Sequence, residues 1–272
     1  MTKKILVGAV TSKRHEEYID KWLDMVGKLT YPHDLFIVDT TVGTDEFAKH
    51  LQSKGVEVAH LEWSEETHQI MEALAEARNL IRKKFLDGDY DFVFQLDTDE
   101  FVPSNSLELL VQHDKDNVGF PTPIWHGIPA VFKTEGLVPS DDGKFKLDSY
   151  SWEELIQRTR REKSTLLRVH SVGVGCLLTK RCVFEDKERG FFWRVPHFPQ
   201  IAEDTIFYTE VPRAGWEFYV DMSVIPLHLS VGWKNVSTFK KGKYNGELKF
   251  IHGFVTDDEP GTRKLEYYGC KN

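Results

Sequence analysis

Residues 91 to 103 read "DFVFQLDTDEFVP", an apolar run driven straight into three acids, Asp97, Asp99 and Glu100. Phe92, Val93, Phe94 and Leu96 predict a buried strand, so the acids fall where that strand leaves the core. Open α/β sheets bind ligands at such an edge. Working back from it, "KILVGAV" (4–10) predicts a first strand, followed by a helix carrying Tyr18, Ile19, Trp22, Leu23, Val26 and Leu29. "LFIVD" (35–39) predicts a second strand, and "TTVGTDEF" opens the next helix. A strand near 55–60 precedes a helix from about Thr67 to Phe85, in which Ile70, Leu74, Ala77 and Ile81 recur at helical spacing. Alternation of strand and helix over the first 100 residues predicts a largely parallel sheet with helices on both faces, a Rossmann-like half.

Beyond Pro103 the pattern predicts a helix near 106–113, a strand near 117–121 and an irregular insertion at about 122–165. "SWEELIQRTRREK" inside it is a helix, with Ser151 as N-cap and Glu154 closing a capping box. Strands near 165–171 and 174–179, a helix near 203–213, strands near 216–220 and 223–228 and a lysine-rich tail follow. The chain thus divides into a nucleotide-binding half (1–104), a second half (105–230) and a tail (231–272).

Composition narrows the function. The 272 residues are 40% hydrophobic, enough for a sizeable core, and the net charge of -8 argues against nucleic-acid binding over the whole surface. No apolar run has the length of a membrane span, and "MTKKILVGAV" turns polar too early for a signal peptide. Cys176, Cys182 and Cys270 form no close pair and are read as packing residues of a reducing compartment. The expectation is a cytoplasmic protein without an integral membrane segment. The absence of GxGxxG and GxxxxGK[ST] removes the dinucleotide and P-loop readings. On an extended backbone Asp97 and Asp99 point to one face and can present oxygens to a single Mg2+ or Mn2+. The same pair can equally cap the strand end and face water.

A resemblance lies around these acids. "EARNLIRKKFLDGDYDFVFQLDTDEF" resembles the segment of family 2-like GT-A glycosyltransferases in which an Ala-Arg-Asn helix leads into an aspartate-ending strand and a D-x-D motif. "FIVDTTVGTDEF" is similar to that family's second-strand segment, and "GVGCLLTKRCVFE" to its acceptor-side strand. "EDTIFYTEVPRAGWEFYVDMSVIPLH" is similar to its E-D helix, Gly-Trp turn and terminal histidine. The four segments keep the family's order and cover about residues 4–104 and 172–230.

The resemblance implies a GT-A fold, α/β with a mostly parallel sheet and an acceptor-side elaboration, and transfer of a sugar from a UDP- or GDP-linked donor with Mn2+ or Mg2+. By it, Asp99 is the direct metal ligand, Asp97 meets ribose or binds the metal through water, and His228 takes a third metal-side position. Asp39 contacts the base, Arg78 and Asn79 face the donor nucleotide, and backbone groups of Ala9, Val10 and Thr11 frame the nucleoside. Inverting transfer needs a carboxylate to take the acceptor's proton, and Asp204 matches that place, with Glu203 orienting the acceptor or capping the helix. The plain alternatives stay open: a histidine satisfied within a core strand, and two acids that favour a helix N-terminus. A sugar-phosphate nucleotidyltransferase shares the architecture, but its glycine- and arginine-rich loop is replaced here by "GAVTSKRH". A binding module derived from the fold is the non-enzymatic reading.

For the acceptor, Trp125, His126, Trp193 and His197 offer stacking faces, and Arg158, Arg160, Arg161, Lys163 and Arg168 form a basic cluster, with Lys234, Lys240, Lys241 and Lys243 in the tail. They suit either a glycan or other soluble hydroxyl acceptor, or a hydroxymethylated base flipped out of DNA whose phosphates the cluster grips.

Overall fold

The structure is a computed structural model that describes residues 2–64, 70–124, 128–139, 145–186, 193 and 203–228. Its first half follows the predicted alternation. Strands β1 (Ile5–Thr11), β2 (His33–Asp39), β3 (Glu57–His60) and β4 (Phe92–Leu96) enclose helices α1 (Ile19–Gly27), α2 (Glu46–Ser53) and α3 (Ile70–Asp87). All four strands run parallel, in the order β3-β2-β1-β4.

Alternation along each strand sends residues to opposite faces. Leu6 and Val10 of β1 pack with Ala73, Ala77 and Ile81 of α3, while Ile5, Val7 and Ala9 pack with Trp22 and Met25 of α1 and with Leu51 of α2. Each fully buried aliphatic side chain contributes about 1.5–3 kcal/mol relative to exposure. Gly8 is what lets α3 lie so close on β1, because a Cβ there would overlap Ile81 Cγ2.

The second half continues the same sheet. After the short β5 (Glu100–Phe101) and α4 (Ser106–Val111) come β6 (Asn117–Gly119) and a two-stranded pair, β7 (Pro123–Ile124) with β8 (Ile128–Pro129). The expected irregular insertion is instead partly ordered. Strands β9 (Val131–Pro139) and β10 (Phe145–Ser149) form an antiparallel sheet with the later β12 (Ser171–Val172), bulged between Leu147 and Ser149. Helix α5 (Trp152–Glu162) begins at the predicted capping box, with Ser151 Oγ accepting from Glu154 N and Glu154 accepting from Ser151 N.

Strands β11 (Leu166–Val169), β13 (Cys176–Lys180) and β14 (Phe218–Asp221) complete an eight-stranded sheet ordered β3-β2-β1-β4-β13-β6-β14-β11, in which only β13 and β11 run against the rest. Helices α6 (Arg181–Glu185) and α7 (Asp204–Arg213) cover the face shared with α3 and α5.

The strand predicted at 223–228 shrinks to β15 (Leu227–His228), because Asp221 Oδ1 accepts from Ser223 N at 2.8 Å and turns the chain. β15 pairs with β5, setting His228 opposite Glu100. Cys176 is buried as expected, but Cys182 is exposed on α6 and is not a packing residue. Cys270, the tail at 231–272, Trp125, His126 and His197 lie outside the described residues. Among the described residues no helix is long and apolar enough to cross a membrane.

Candidate active site

The three acids of the opening stretch meet three different fates. Asp97 Oδ2 accepts from Arg78 Nη2 at 3.2 Å, while its backbone oxygen accepts from Trp22 Nε1 at 3.1 Å. Asp99 Oδ2 lies 3.0 Å from His228 Nε2. Glu100 turns inward, where Thr122 Oγ1 donates to it at 2.7 Å. Burial pushes the Glu100 carboxyl up to about 8; His228 pulls it back while Asp97 and Asp99 push it further. Gly175 gives these side chains room: a Cβ there would overlap Glu100 Oε1 and sit 2.9 Å from Asp97 Oδ2.

A cavity of about 440 Å3 opens at the carboxyl ends of β1, β2 and β4. Its walls are Val10 and Thr11 at the end of β1 and His15 beyond it, Thr40 and Thr41 after β2, Trp63 after β3, Ile70, Leu74 and Arg78 of α3, and Asp97 and Asp99. Ile70, the first of the residues that recur at helical spacing along α3, is 44% exposed and forms part of this wall. Ala9 is buried below it.

Asp39 does not face the cavity. It is fully buried, with Oδ1 accepting from Thr41 N (3.0 Å) and Thr41 Oγ1 (2.6 Å) and Oδ2 accepting from His60 Nδ1 (2.9 Å). A buried carboxylate needs those donors, and satisfying them makes Asp39 the residue that shapes the Thr40–Thr41 rim.

Arg78 reaches the cavity from a buried position. Its guanidinium donates to Glu203 Oε1 (3.1 Å), Gln95 Oε1 (3.1 Å) and Asp97 Oδ2 (3.2 Å). Burial works against that charge, but Asp97 and Glu203 more than offset it and hold the guanidinium protonated. Glu203, expected to orient the acceptor or cap α7, has no side-chain cap bond and is committed to Arg78.

Beside it stands Asp204, the expected base. Burial, then the neighbouring Glu203, push its carboxyl up to about 7, against the pull of the Tyr208 hydroxyl and Arg78. Tyr208 donates to Asp204 Oδ2 at 2.8 Å and accepts from Val174 N at 3.0 Å.

Two expected contacts move into the core. Asn79 does not face the cavity: its Nδ2 donates to Trp193 O (2.7 Å), and its Oδ1 accepts from Trp193 N (2.9 Å). Trp193 is 3% exposed and stacks on Phe207 with ring centroids 4.5 Å apart, so it offers no face to an acceptor. Arg160 and Arg161 lie on α5, away from this cavity.

Sequence reasoning missed Tyr208, although its i+4 spacing from Asp204 on a predicted helix was the available signal. It also missed His15, whose Nδ1 lies 2.6 Å from Thr98 Oγ1, and the only hint was its place just after β1.

The donor set fits a hard divalent cation. His228 Nδ1–H donates to Pro123 O at 2.8 Å, which aims Nε2 at Asp99. Either a proton or a cation satisfies the nitrogen and oxygen together. With the proton, burial opposes the imidazolium but Asp99 raises His228 to about 10, while Asp99 itself is held below the usual carboxylate range despite its burial. Among the described residues no cluster of three such donors occurs. Two protein ligands, with substrate oxygens and water for the rest, is an ordinary arrangement for Mg2+ or Mn2+.

No protein-family model and no curated protein matches the chain. Among solved structures it is similar to the mannosyltransferase PcManGT from Pyrobaculum calidifontis in complex with GDP-Man and Mn2+, at 15% identity and TM-score 0.51, covering 88% of this chain and 60% of that one. It is also similar to S. aureus TarS 1-349, at 15% identity and TM-score 0.47, covering 81% of this chain and 60% of that one. For the complex of TarS 1-349 with UDP-GlcNAc the values are 15% and 0.48, covering 80% and 55%. The chain thus spans no more than 60% of the length of these proteins. With the sheet order, the cavity at its carboxyl edge and the mannosyltransferase likeness taken together, the chain has the GT-A glycosyltransferase fold.

Proposed function

We propose that this chain is an inverting, metal-assisted glycosyltransferase that moves a sugar from a nucleoside-diphosphate donor to a hydroxyl acceptor. One observation carries the reading: a single buried guanidinium, Arg78, bonds to cavity-lining Asp97 on one side and to Glu203, adjacent to Asp204, on the other. The fold likeness to a mannosyltransferase solved with GDP-Man and Mn2+ supports it.

On this reading the cavity takes the nucleotide, with Thr40, Thr41 and Trp63 around the nucleoside and Asp97 towards the ribose. Asp99 and His228 would hold a Mg2+ or Mn2+, which would supply stabilisation for charge growing on the departing diphosphate. Asp204, with its pKa near neutrality, takes the proton from the acceptor hydroxyl. Tyr208 fixes the orientation of that carboxylate, and Arg78 holds α7 against the donor side. The free thiols of Cys176 and Cys182 accord with a cytoplasmic setting.

The test is incubation with UDP- and GDP-sugars and hydroxyl acceptors, with Mn2+ or with EDTA. Metal-dependent release of nucleoside diphosphate, and a product of inverted anomeric configuration by NMR, support the reading. Pyrophosphate turnover would make the chain a nucleotidyltransferase, and silence across all donors would leave a binding module.

A further inference from the structure

A second cavity, of about 830 Å3, lies at the opposite edge of the sheet. Phe218 opens β14 there, paired with Val169 at the end of β11, whereas the donor cavity sits at the carboxyl ends of strands parallel to β14. Pro212 and Trp216, at and just beyond the far end of α7, also line it, about 12 Å along the helix axis from Asp204.

Its charge opposes that of the chain. Lys133, Arg158, Arg161 and Arg168 line it against two carboxylates, Glu154 and Glu217, in a protein of net charge -8. The cations are not equivalent. Arg158 is spent on structure, donating to Glu162, to Tyr150 Oη and to Arg168 O at 2.9–3.0 Å, which ties α5 to β11.

Arg161, one turn further along α5, is 73% exposed at its side chain and meets only Glu162 at 3.4 Å among the ion pairs described. Arg168 is 68% exposed, with Glu217 at 2.9 Å. Each therefore keeps N–H edges for a planar anion. Trp216 adds an indole whose buried Nε1 has no acceptor among the described residues.

We propose that this groove binds an acidic saccharide, a chain of carboxylate-bearing sugars, with Arg161 and Arg168 taking carboxylates and Trp216 lying against a ring. Glu154 and Glu217 can accept from hydroxyls, which a uronate chain carries on its rings and a DNA phosphodiester backbone lacks, so the mixed lining matches a saccharide that presents both carboxylates and hydroxyls. Binding stands on the groove alone. The role of the saccharide, as the remote part of the acceptor, rests on the transferase reading.

The experiment is calorimetric titration of the full chain with a galacturonate hexamer, with maltohexaose and a thymidine hexanucleotide as comparators. The expected result is saturable binding of the galacturonate hexamer that weakens with salt, with neither comparator binding comparably. Loss of about tenfold in affinity is expected for Arg161→Glu with Arg168→Glu and for Trp216→Ala. Arg161→Glu alone, at an exposed site that should not disturb folding, should cost severalfold.

Stabilisation by UDP or GDP with Mn2+, measured on the same samples, reports the donor cavity separately and should persist in every variant. Its absence in wild type would sink the transferase reading and leave the groove intact. No binding of the galacturonate hexamer, binding unaffected by the substitutions, or equal binding of the hexanucleotide would overturn the proposal.

Discussion

Tyr208→Phe tests the proposed base without touching its carboxylate. The Tyr208 hydroxyl donates to Asp204 Oδ2 at 2.8 Å and thereby favours the charged form. A hydrogen bond to a charged group is worth about 1.5–3 kcal/mol, and about 1.36 kcal/mol corresponds to one pKa unit. Removing it should raise the midpoint from about 7 by about one to two units. If the ionised Asp204 accepts the acceptor's proton, kcat/KM at pH 7 falls about five- to fiftyfold, from the smaller ionised fraction alone. The loss should be recovered near pH 9–10, about where the shifted group ionises.

The same deletion leaves Val174 N, 3.0 Å from the lost oxygen, without its acceptor. That costs about 1–3 kcal/mol of stability, or about 2–4 °C in Tm for each kcal/mol. The assay is a pH profile of nucleoside diphosphate release beside a melting curve. A variant that loses stability while keeping the wild-type pH midpoint would refute the reasoning, because Tyr208 would then be structural and the titrating base another group.

Asp204→Asn should keep nucleotide binding and lose at least about a hundredfold in transfer. Because the Asp204 pKa is raised from its ordinary 3.8 to about 7, its stabilising contribution is complete at acid pH and lost as pH rises through about 7. The asparagine variant should therefore gain stability relative to wild type progressively between pH 3.8 and about 7 and keep that gain above it, visible as converging or crossing plots of stability against pH; plots that stay parallel across that window would contradict the raised pKa. Asp99→Ala should abolish the Mn2+-dependent part of stabilisation by UDP or GDP, while equal stabilisation in EDTA by wild type would remove the metal from the account. Gly175→Ala should cost about 1–3 kcal/mol by overpacking and weaken metal-dependent nucleotide binding together with stability, since its Cβ displaces Glu100 and Asp97. An unchanged melting temperature would show that the acids can move freely.

The parallel half of the fold was legible because its signal is local. The apolar runs of β1 and β4, the acid-ended strands and the Ser151–Glu154 box all need only neighbouring residues. What stayed hidden depends on long-range partners. Nothing near Asp39 in the sequence tells that His60 and Thr41 consume its oxygens, and nothing near Arg78 tells that Glu203, 125 residues away, completes its burial. Within 122–165, glycine and proline suggested a loop, yet β9 is held by partners on both sides. His228 was recognisable as a candidate, but only the pairing of β15 with β5 gives its orientation.

The clasp between Asn79 and Trp193 has one more consequence. A carboxamide that gives one hydrogen bond to a main-chain carbonyl and takes one from the same residue's N–H imitates a rung of a β-ladder, supplied by a single side chain. Such a rung reads peptide, not residue type. Any amino acid except proline at position 193 can preserve it, whereas Asp at 79, equal in shape but ionised and without a donor, would face the carbonyl with a second acceptor. The indole at 193 is held by a separate constraint, its burial against Phe207, so the rung and the ring can be lost one at a time: a smaller residue at 193 leaves the clasp but opens a cavity, whereas Asp at 79 breaks the clasp and leaves the ring packed.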